Sequence, residues 1–367
     1  MDRVRNLKTN LLKNLNKEAR KQMPVGYISS ELYQRHDTGS HVENKERLKA
    51  IDTILEKTKV NEQLLQISPR AASIDEIAAV HDREYIRSLK AEIDSGGGWL
   101  DPDTYASPGS WEAAIYAAGG VMTAVEQVMS GKADSVFAAV RPPGHHAVHS
   151  HQMGFCLFNN VAIAARFALS NYDIKRILII DFDVHHGNGT QEAFYSESQV
   201  LYCSTHEYPW YPFTGAAEDT GKGAGEGYTV NIPLEAGLGD NEYLQVFNEV
   251  LVPVAGRFQP DLVLISAGYD AHWQDTISNM TLTTMGFARM TKIIKAISDQ
   301  FCRSRLVFSL EGGYNHTALA YSVTATIELL MGHAEVYDPL GPPPMSYSPR
   351  DFGDFVKSIR NIHKIQD

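Results

Sequence analysis

The run Ile177-Leu178-Ile179-Ile180-Asp181-Phe182-Asp183-Val184-His185-His186-Gly187-Asn188-Gly189 constrains this chain more than any other stretch. Its apolar, largely β-branched first half predicts a buried strand. The strand ends in two carboxylates and two imidazoles, followed by glycines that permit a sharp turn. Unpaired charge at that depth is very costly, so Asp-x-Asp-x-His-His needs partners. A bound cation is the most economical one. Asp183 and His185 lie two apart, so in extended geometry their side chains leave the same face. One carboxylate and one imidazole suit Zn²⁺ with open coordination positions, whereas a solvated Asp/His turn is the plain alternative for this stretch alone.

The rest of the chain alternates strand-like and helix-like segments. Apolar runs predict strands over 25–28, 135–140, 176–182, 200–204, 228–232, 261–267 and 306–310. Helical spacing covers 46–58, 74–89, 111–129, 158–169, 241–258 and 284–301, and Gly96-Gly97-Gly98 opens a loop through Asp101, Asp103 and Pro108. Strands alternating with helices of this length predict an α/β fold with a parallel, doubly wound sheet.

Unusual residues fall in phase with those strands. Arg141-Pro142-Pro143-Gly144-His145-His146 follows one, Asp183 and His185 a second, and Ser204-Thr205-His206 a third. Gly268-Tyr269-Asp270-Ala271-His272 and Glu311-Gly312-Gly313-Tyr314 follow two more. Open α/β sheets bind ligands at the carboxyl ends of their strands, so these loops predict one shared site. Asp183, His185 and Asp270 would supply three protein ligands and leave a metal room for water and a substrate oxygen. One of His145 and His146, held in a Pro-Pro-Gly turn, would take a proton from the attacking water and deliver it to a leaving amine. Tyr314 would donate its hydroxyl to a developing oxyanion. Metal, acid/base and oxyanion donor together describe amide or ester hydrolysis without a protein nucleophile.

Composition narrows the setting. The chain has 367 residues, 43% of them hydrophobic and 21% charged, which is ordinary for a globular protein. No run of 18 apolar residues is present and the start lacks an apolar signal-peptide core, so a cytoplasmic location without a membrane anchor is expected. Three scattered thiols, Cys156, Cys203 and Cys302, fit a reducing compartment. The net charge of −11, from 33 basic and 44 acidic side chains, disfavours direct nucleic-acid binding. Residues 1–22 are basic and roughly helical in spacing, and read as an N-terminal extension ahead of a single domain over 23–367.

Four motifs, Arg-Pro-Pro-Gly-His-His, Asp-Phe-Asp-Val-His-His-Gly-Asn-Gly-Thr, Ser-Ala-Gly-Tyr-Asp-Ala-His and Glu-Gly-Gly-Tyr, resemble the zinc-dependent histone deacetylase superfamily. That group includes acetylpolyamine amidohydrolases and acetoin-utilisation proteins. Further similar positions are His36-Asp37 through Arg47-Leu48, Val80-His81-Asp82 with Tyr85, and Met153-Gly154-Phe155-Cys156 before Phe158-Asn159-Asn160, so the resemblance spans roughly 24–335. It implies an arginase/deacetylase-like fold with a mostly parallel sheet of about eight strands. It places Asp183, His185 and Asp270 on the zinc ligands, His145 and His146 on the histidine dyad, and Tyr314 on the carbonyl-polarising tyrosine. It also implies structural K⁺: Asp181 and Ser204, with the carbonyls of Asp183 and His185, fall on an inner site, and Phe194, Val200 and Tyr228 on an outer one.

Where one branch of the family has Asp beside the second histidine, this chain has Asn188, which resembles the branch containing class II enzymes and many bacterial relatives. A neutral amide orients the ring without favouring its charge, whereas Asp181 near His145 favours imidazolium. His146 is therefore expected to be the neutral base and His145 the charged helper. Gly154 and Phe155 fall on one wall of the family's acyl tunnel and Tyr211 on the other. Ile277 occupies the rim position where a polyamine-selective branch carries a Glu. An apolar rim favours acetyl-lysine of a protein or peptide over acetylated polyamine, although Glu226, Asp101 or Asp103 would supply an acid from a loop. Two other classes are weighed: an arginase-like ureohydrolase, which needs more bridging carboxylates, and a non-catalytic acyl-lysine reader, which would lack Tyr314 or the base.

Overall fold

The predicted strand at the organising run forms, fully buried, as the sixth of ten among the described residues. In chain order the strands are β1 (Val25–Ile28), β2 (Leu65–Gln66), β3 (Gly98–Trp99), β4 (Tyr105–Ala106), β5 (Ser135–Ala138), β6 (Ile177–Asp181), β7 (Val200–Glu207), β8 (Thr229–Leu234), β9 (Leu262–Ala267) and β10 (Leu306–Leu310). The computed structural model describes residues 23–345, 347, 349 and 351–366; the basic extension read at 1–22 lies outside the described residues. Ile177, Leu178 and Ile179 are wholly enclosed, each worth roughly 1.5–3 kcal/mol relative to exposure.

Eight strands pair in the order β2-β1-β5-β10-β9-β6-β7-β8, every pairing parallel. β3 and β4 make a separate antiparallel pair in the loop opened by the glycines. The register lines up the strand ends: Ala138 pairs with Ser309, Ser309 with Ser266, Ser266 with Asp181, and Asp181 with Ser204. The loops that leave this row bring the polar motifs together.

Helices cover the sheet. Ser110–Met129 packs on Asn160–Asn171 and β5, while Thr284–Phe301 packs on His316–Leu330, which in turn packs on Glu46–Lys57. The segment expected as one helix over 74–89 is two, Ile74–Ile77 and Arg83–Asp94, because Asp82 caps the second by accepting from the Glu84 N–H. The helix expected over 241–258 is continuous but passes through a wider, π-type turn at Phe247–Leu251.

Candidate active site

Four neighbouring strands, β5, β10, β9 and β6, deliver the site. After β6 the chain turns so that Asp183 and His185 face Asp270, which follows β9. His185 Nδ1 lies 3.0 Å from Asp183 Oδ1 and 3.3 Å from Asp270 Oδ2. Among the described residues this is the one group of three or more His, Cys, Asp or Glu side chains whose ligand atoms converge. Its second contacts are fixed: the Gly312 N–H donates to Asp183 Oδ2 at 2.8 Å and the Val184 N–H to Asp270 Oδ1 at 2.9 Å. Gly312 has to be glycine, since a Cβ there would stand 2.0 Å from Asp270 Oδ2.

The trio fits a metal. Tetrahedral Zn²⁺, with bonds of about 2.0–2.1 Å, sets its ligands about 3.3 Å apart, close to the spacing seen. Asp270 Oδ2 is buried and has no hydrogen-bond partner. Despite burial, Asp183 and Asp270 raise His185 to about 10, so the carboxylates hold a proton where positive charge is wanted. Burial and the Asp183 charge also push Asp270 up to about 7.

The dyad sits beside the trio, with ring centroids 4.0 Å apart. His145 Nδ1 donates to Asp181 Oδ2 at 3.1 Å, and His146 Nδ1 to Asn188 Oδ1 at 2.7 Å, which leaves His146 Nε2 as the free acceptor. Burial opposes charge on both rings. At His145 the Asp183 and Asp181 carboxylates win and raise it to about 10. At His146 burial, His145 and His185 act together and hold it well below the usual histidine range. Two adjacent imidazoles thus differ because carboxylates outweigh burial at His145, whereas at His146 burial and the two neighbouring rings outweigh the bond to Asn188.

Tyr314 leaves the turn after β10, and its backbone N–H donates to Asp275 Oδ2 at 2.7 Å. Burial raises its hydroxyl well above the usual tyrosine value, so it stays a protonated donor. Phe155 stands edge-on to it, centroids 5.7 Å apart, and Tyr211 edge-on to His146 at 5.1 Å. Burial, with Asp103 nearby, keeps the Tyr211 hydroxyl protonated. Gly154 (φ +56) lets the loop pass the dyad, where a Cβ would meet His146 Cδ2 at 2.4 Å. The Ile277 carbonyl accepts from Trp210 Nε1 at 3.1 Å, which ties that residue to the segment carrying Tyr211.

Not every expected residue gathers here. Glu226 lines a separate cleft of about 500 Å³ with Arg176, Ser198 and Tyr228, just ahead of β6, β7 and β8 at the opposite edge of the sheet. It cannot read a substrate at the tunnel, because a strand's length separates the two. Asp103 does lie there, accepting from the Gly154 N–H at 3.2 Å. Asp181 and Ser204 pair across β6 and β7, and the Ser204 hydroxyl contacts His206 Nδ1 at 2.9 Å. Val200 and Tyr228 start or precede adjacent strands β7 and β8, where the Tyr228 carbonyl accepts from the Tyr202 N–H, and the Phe194 carbonyl accepts from the Glu197 N–H.

Three buried residues were given no role by sequence reasoning. Glu311 Oε2 accepts from the Gly144 and His145 N–H groups at 2.6 and 3.1 Å, so it seats the dyad loop. Glu43 and Arg47 lie beneath it with Arg141, all fully enclosed. An acidic and a basic residue four apart at the start of a helix was the available signal, but their partners are far away in sequence.

Residues 41–330 match the histone deacetylase domain. The chain is 40% identical over 347 residues to "Histone deacetylase 14, chloroplastic" of Arabidopsis thaliana, covering 89% of this chain and 82% of that one. It is 41% identical over 314 residues to a "Probable deacetylase" of Archaeoglobus fulgidus (84% and 87% covered), and 35% identical over 303 residues to the "Histone deacetylase-like amidohydrolase" of Pseudomonas aeruginosa (82% and 80%). A solved structure titled "Crystal Structure of HDA15 HD domain" superposes with a TM-score of 0.85 at 36% identity, covering 93% of this chain and 94% of that one. Among the described residues no helix is long and apolar enough to cross a membrane.

Proposed function

The chain belongs to the histone deacetylase family, and from that premise we propose that residues 23–367 form one catalytic domain, a zinc-dependent amidohydrolase that removes acetyl groups from the ε-amine of lysine in proteins. The observation that carries the reading is the convergence, at one edge of the sheet, of the Asp183–His185–Asp270 trio, a neutral His146 and a protonated Tyr314. Asp183, His185 and Asp270 would hold Zn²⁺, which would supply Lewis acidity to the acyl carbonyl and to an attacking water. His146 Nε2 takes the proton of that water and passes it to the leaving amine, while Asn188 fixes the ring's tautomer. His145, charged against Asp181, stabilises negative charge as it develops, and the Tyr314 hydroxyl donates to the oxyanion.

In the same reading Asp181 and Ser204, with the carbonyls of Asp183 and His185, hold an inner K⁺, and Phe194, Val200 and Tyr228 an outer one. Gly154, Phe155 and Tyr211 grip the aliphatic stem of the acyl-lysine, with Ile277 at the rim. Exposed Trp99, next to His41, which lies edge-on to Phe155, would extend an apolar surface toward a peptide. Two similar plant proteins are named chloroplastic, so the compartment differs within the family.

Acetylpolyamine hydrolysis is the second reading, favoured by Asp101 and Asp103 near the tunnel. Against it, Asp101 Oδ1 is occupied by the N–H groups of Asp103 and Thr104 at 2.9 and 2.6 Å, and Asp103 Oδ1 by the Gly154 N–H and the Thr104 hydroxyl. Paired kinetics on the zinc-loaded protein separate the two. An acetyl-lysine peptide is expected to exceed acetylputrescine and acetylspermidine in kcat/KM by about tenfold or more, about 1.4 kcal/mol. Preference for the polyamines would overturn the protein-lysine reading, and no turnover of any acetyl amide would overturn the amidohydrolase reading itself.

A further inference from the structure

The loop that carries the dyad and the loop that carries Tyr314 come from different strands and meet directly where Glu311 Oε2 accepts from the Gly144 and His145 N–H groups. A second buried carboxylate braces that junction from the far side of both loops. Arg141, at the head of the dyad loop, meets Glu43 through two nitrogens: Nε to Oε1 at 2.5 Å and Nη2 to Oε2 at 2.7 Å. Arg47 Nη1 reaches the same Oε1 at 3.0 Å. The rest of Arg47 faces the other loop, with Nη2 donating to the Glu311 carbonyl at 2.5 Å and Nε to the Gly313 carbonyl at 2.7 Å. Its guanidinium carbon stands 4.9 Å from the centre of the Tyr314 ring. Arg141 Nη1 donates to the Tyr33 carbonyl, and Nη2 also donates to the His36 carbonyl, both at 3.1 Å. All three charged side chains are wholly shielded from solvent.

We infer that Glu43 is a positioning residue: through Arg141 and Arg47 it ties the His145–His146 loop to the Glu311–Tyr314 loop and so fixes the base relative to the carbonyl-polarising hydroxyl. Forked guanidinium–carboxylate pairs set direction as well as distance, which a lysine or a water would not. Glu43 touches neither substrate nor metal. Its effect arises because displacing a reacting group by about 1 Å can cost about 10²-fold in rate. The inference rests on the deacetylase reading, because the distance it fixes matters only if both groups act on one acyl carbonyl.

The test is Glu43→Gln in the zinc-loaded protein, alone and combined with Tyr314→Phe. Alone, it is expected to lower kcat on an acetyl-lysine peptide about tenfold or more, with KM and bound zinc changed by less than about twofold. In the Tyr314→Phe background the same substitution is expected to cost less than about threefold, since the group it positions is gone. Equal losses in both backgrounds, or a lowered melting temperature with unchanged kcat, would overturn the inference. Arg141→Lys, which keeps the charge and removes the fork, carries the same test if Glu43→Gln does not fold. Hydrogen exchange gives a readout free of turnover: amides of 141–147 and 311–315 are expected to exchange faster together in either variant. If the wild-type protein hydrolysed no acetyl amide, the functional reading would fall while exchange still judged the tether, and unchanged exchange in both loops would overturn it.

Discussion

Two clusters of buried charge lie under the same loops and are built on opposite terms. In the Glu43–Arg47–Arg141 cluster every guanidinium nitrogen donates to a carboxylate or a carbonyl. In the Asp183–His185–Asp270 cluster Asp270 Oδ2 accepts no hydrogen bond, with His185 Nδ1 standing off at 3.3 Å, and nearby Glu311 Oε1 also lacks one. Burial lifts Asp270 and Glu311 to about 7 each, whereas against the same burial the two arginines hold Glu43 well below the usual carboxylate range. A satisfied cluster fixes a shape, and an unsatisfied one marks where a ligand of the missing sign belongs. The fold thus sets the proposed tether and the proposed metal centre apart by how completely each is paired.

Breaking the unsatisfied cluster should have the largest effect. Asp270→Ala removes one of three ligands, and kcat is expected to fall by about 10³ or more with metal content at background, measured by elemental analysis. In chelator-treated protein the contrast sharpens. Asp270→Asn replaces an unpartnered oxygen and is expected to raise stability by about 1–3 kcal/mol, whereas with zinc present it lowers it. Glu43→Gln does the reverse, leaving two guanidiniums without their carboxylate, and should cost about 3–5 kcal/mol in denaturant unfolding whether or not zinc is bound. Tyr314→Phe belongs to neither cluster; it should lower kcat about 10²–10³-fold with zinc content unchanged.

A further contrast, confined to acid pH, concerns a buried group that is satisfied without charge. His81 Nδ1 donates to the Val148 carbonyl at 2.8 Å and Nε2 accepts from the Asn159 N–H at 2.8 Å. Burial lowers its pKa to about 4. The unfolded chain, titrating near the usual 6.5, takes up the proton first. Stability that is full above pH 6.5 is therefore lost as pH falls, and this loss levels off below about 4, amounting to at most about 3 kcal/mol. His81→Gln should flatten the pH dependence over that window in urea titrations.

Much of the site was legible because it is local. Asp183 and His185 are two apart on a strand end, and the parallel sheet places the ends of β5, β6, β9 and β10 in one row, so their polar tails had to meet. Seven of the sheet's strands could be read as apolar runs; β2, Leu65–Gln66, could not, because two residues carry no period. The helix His316–Leu330 was missed since its Ala, Ser and Thr face the sheet and other helices on nearly all sides and leave no amphipathic stripe. The tether was illegible for a different reason. Glu43 and Arg141 are 98 residues apart, and Arg47 and the Glu311 carbonyl 264, and no local pattern encodes such pairings. Glu226 was misplaced at the tunnel for the same reason, since a loop's composition does not say which end of the sheet it serves.

The most direct measurement is calorimetric titration of Zn²⁺ into chelator-treated protein, repeated with Asp270→Ala and Tyr314→Phe. One tight site per chain, lost with Asp270→Ala, kept with Tyr314→Phe and matched by the return of deacetylation in the wild type, is the predicted result. Zinc binding that survives Asp270→Ala, or full deacetylation without added metal, would contradict the claim that the unsatisfied cluster is the metal centre.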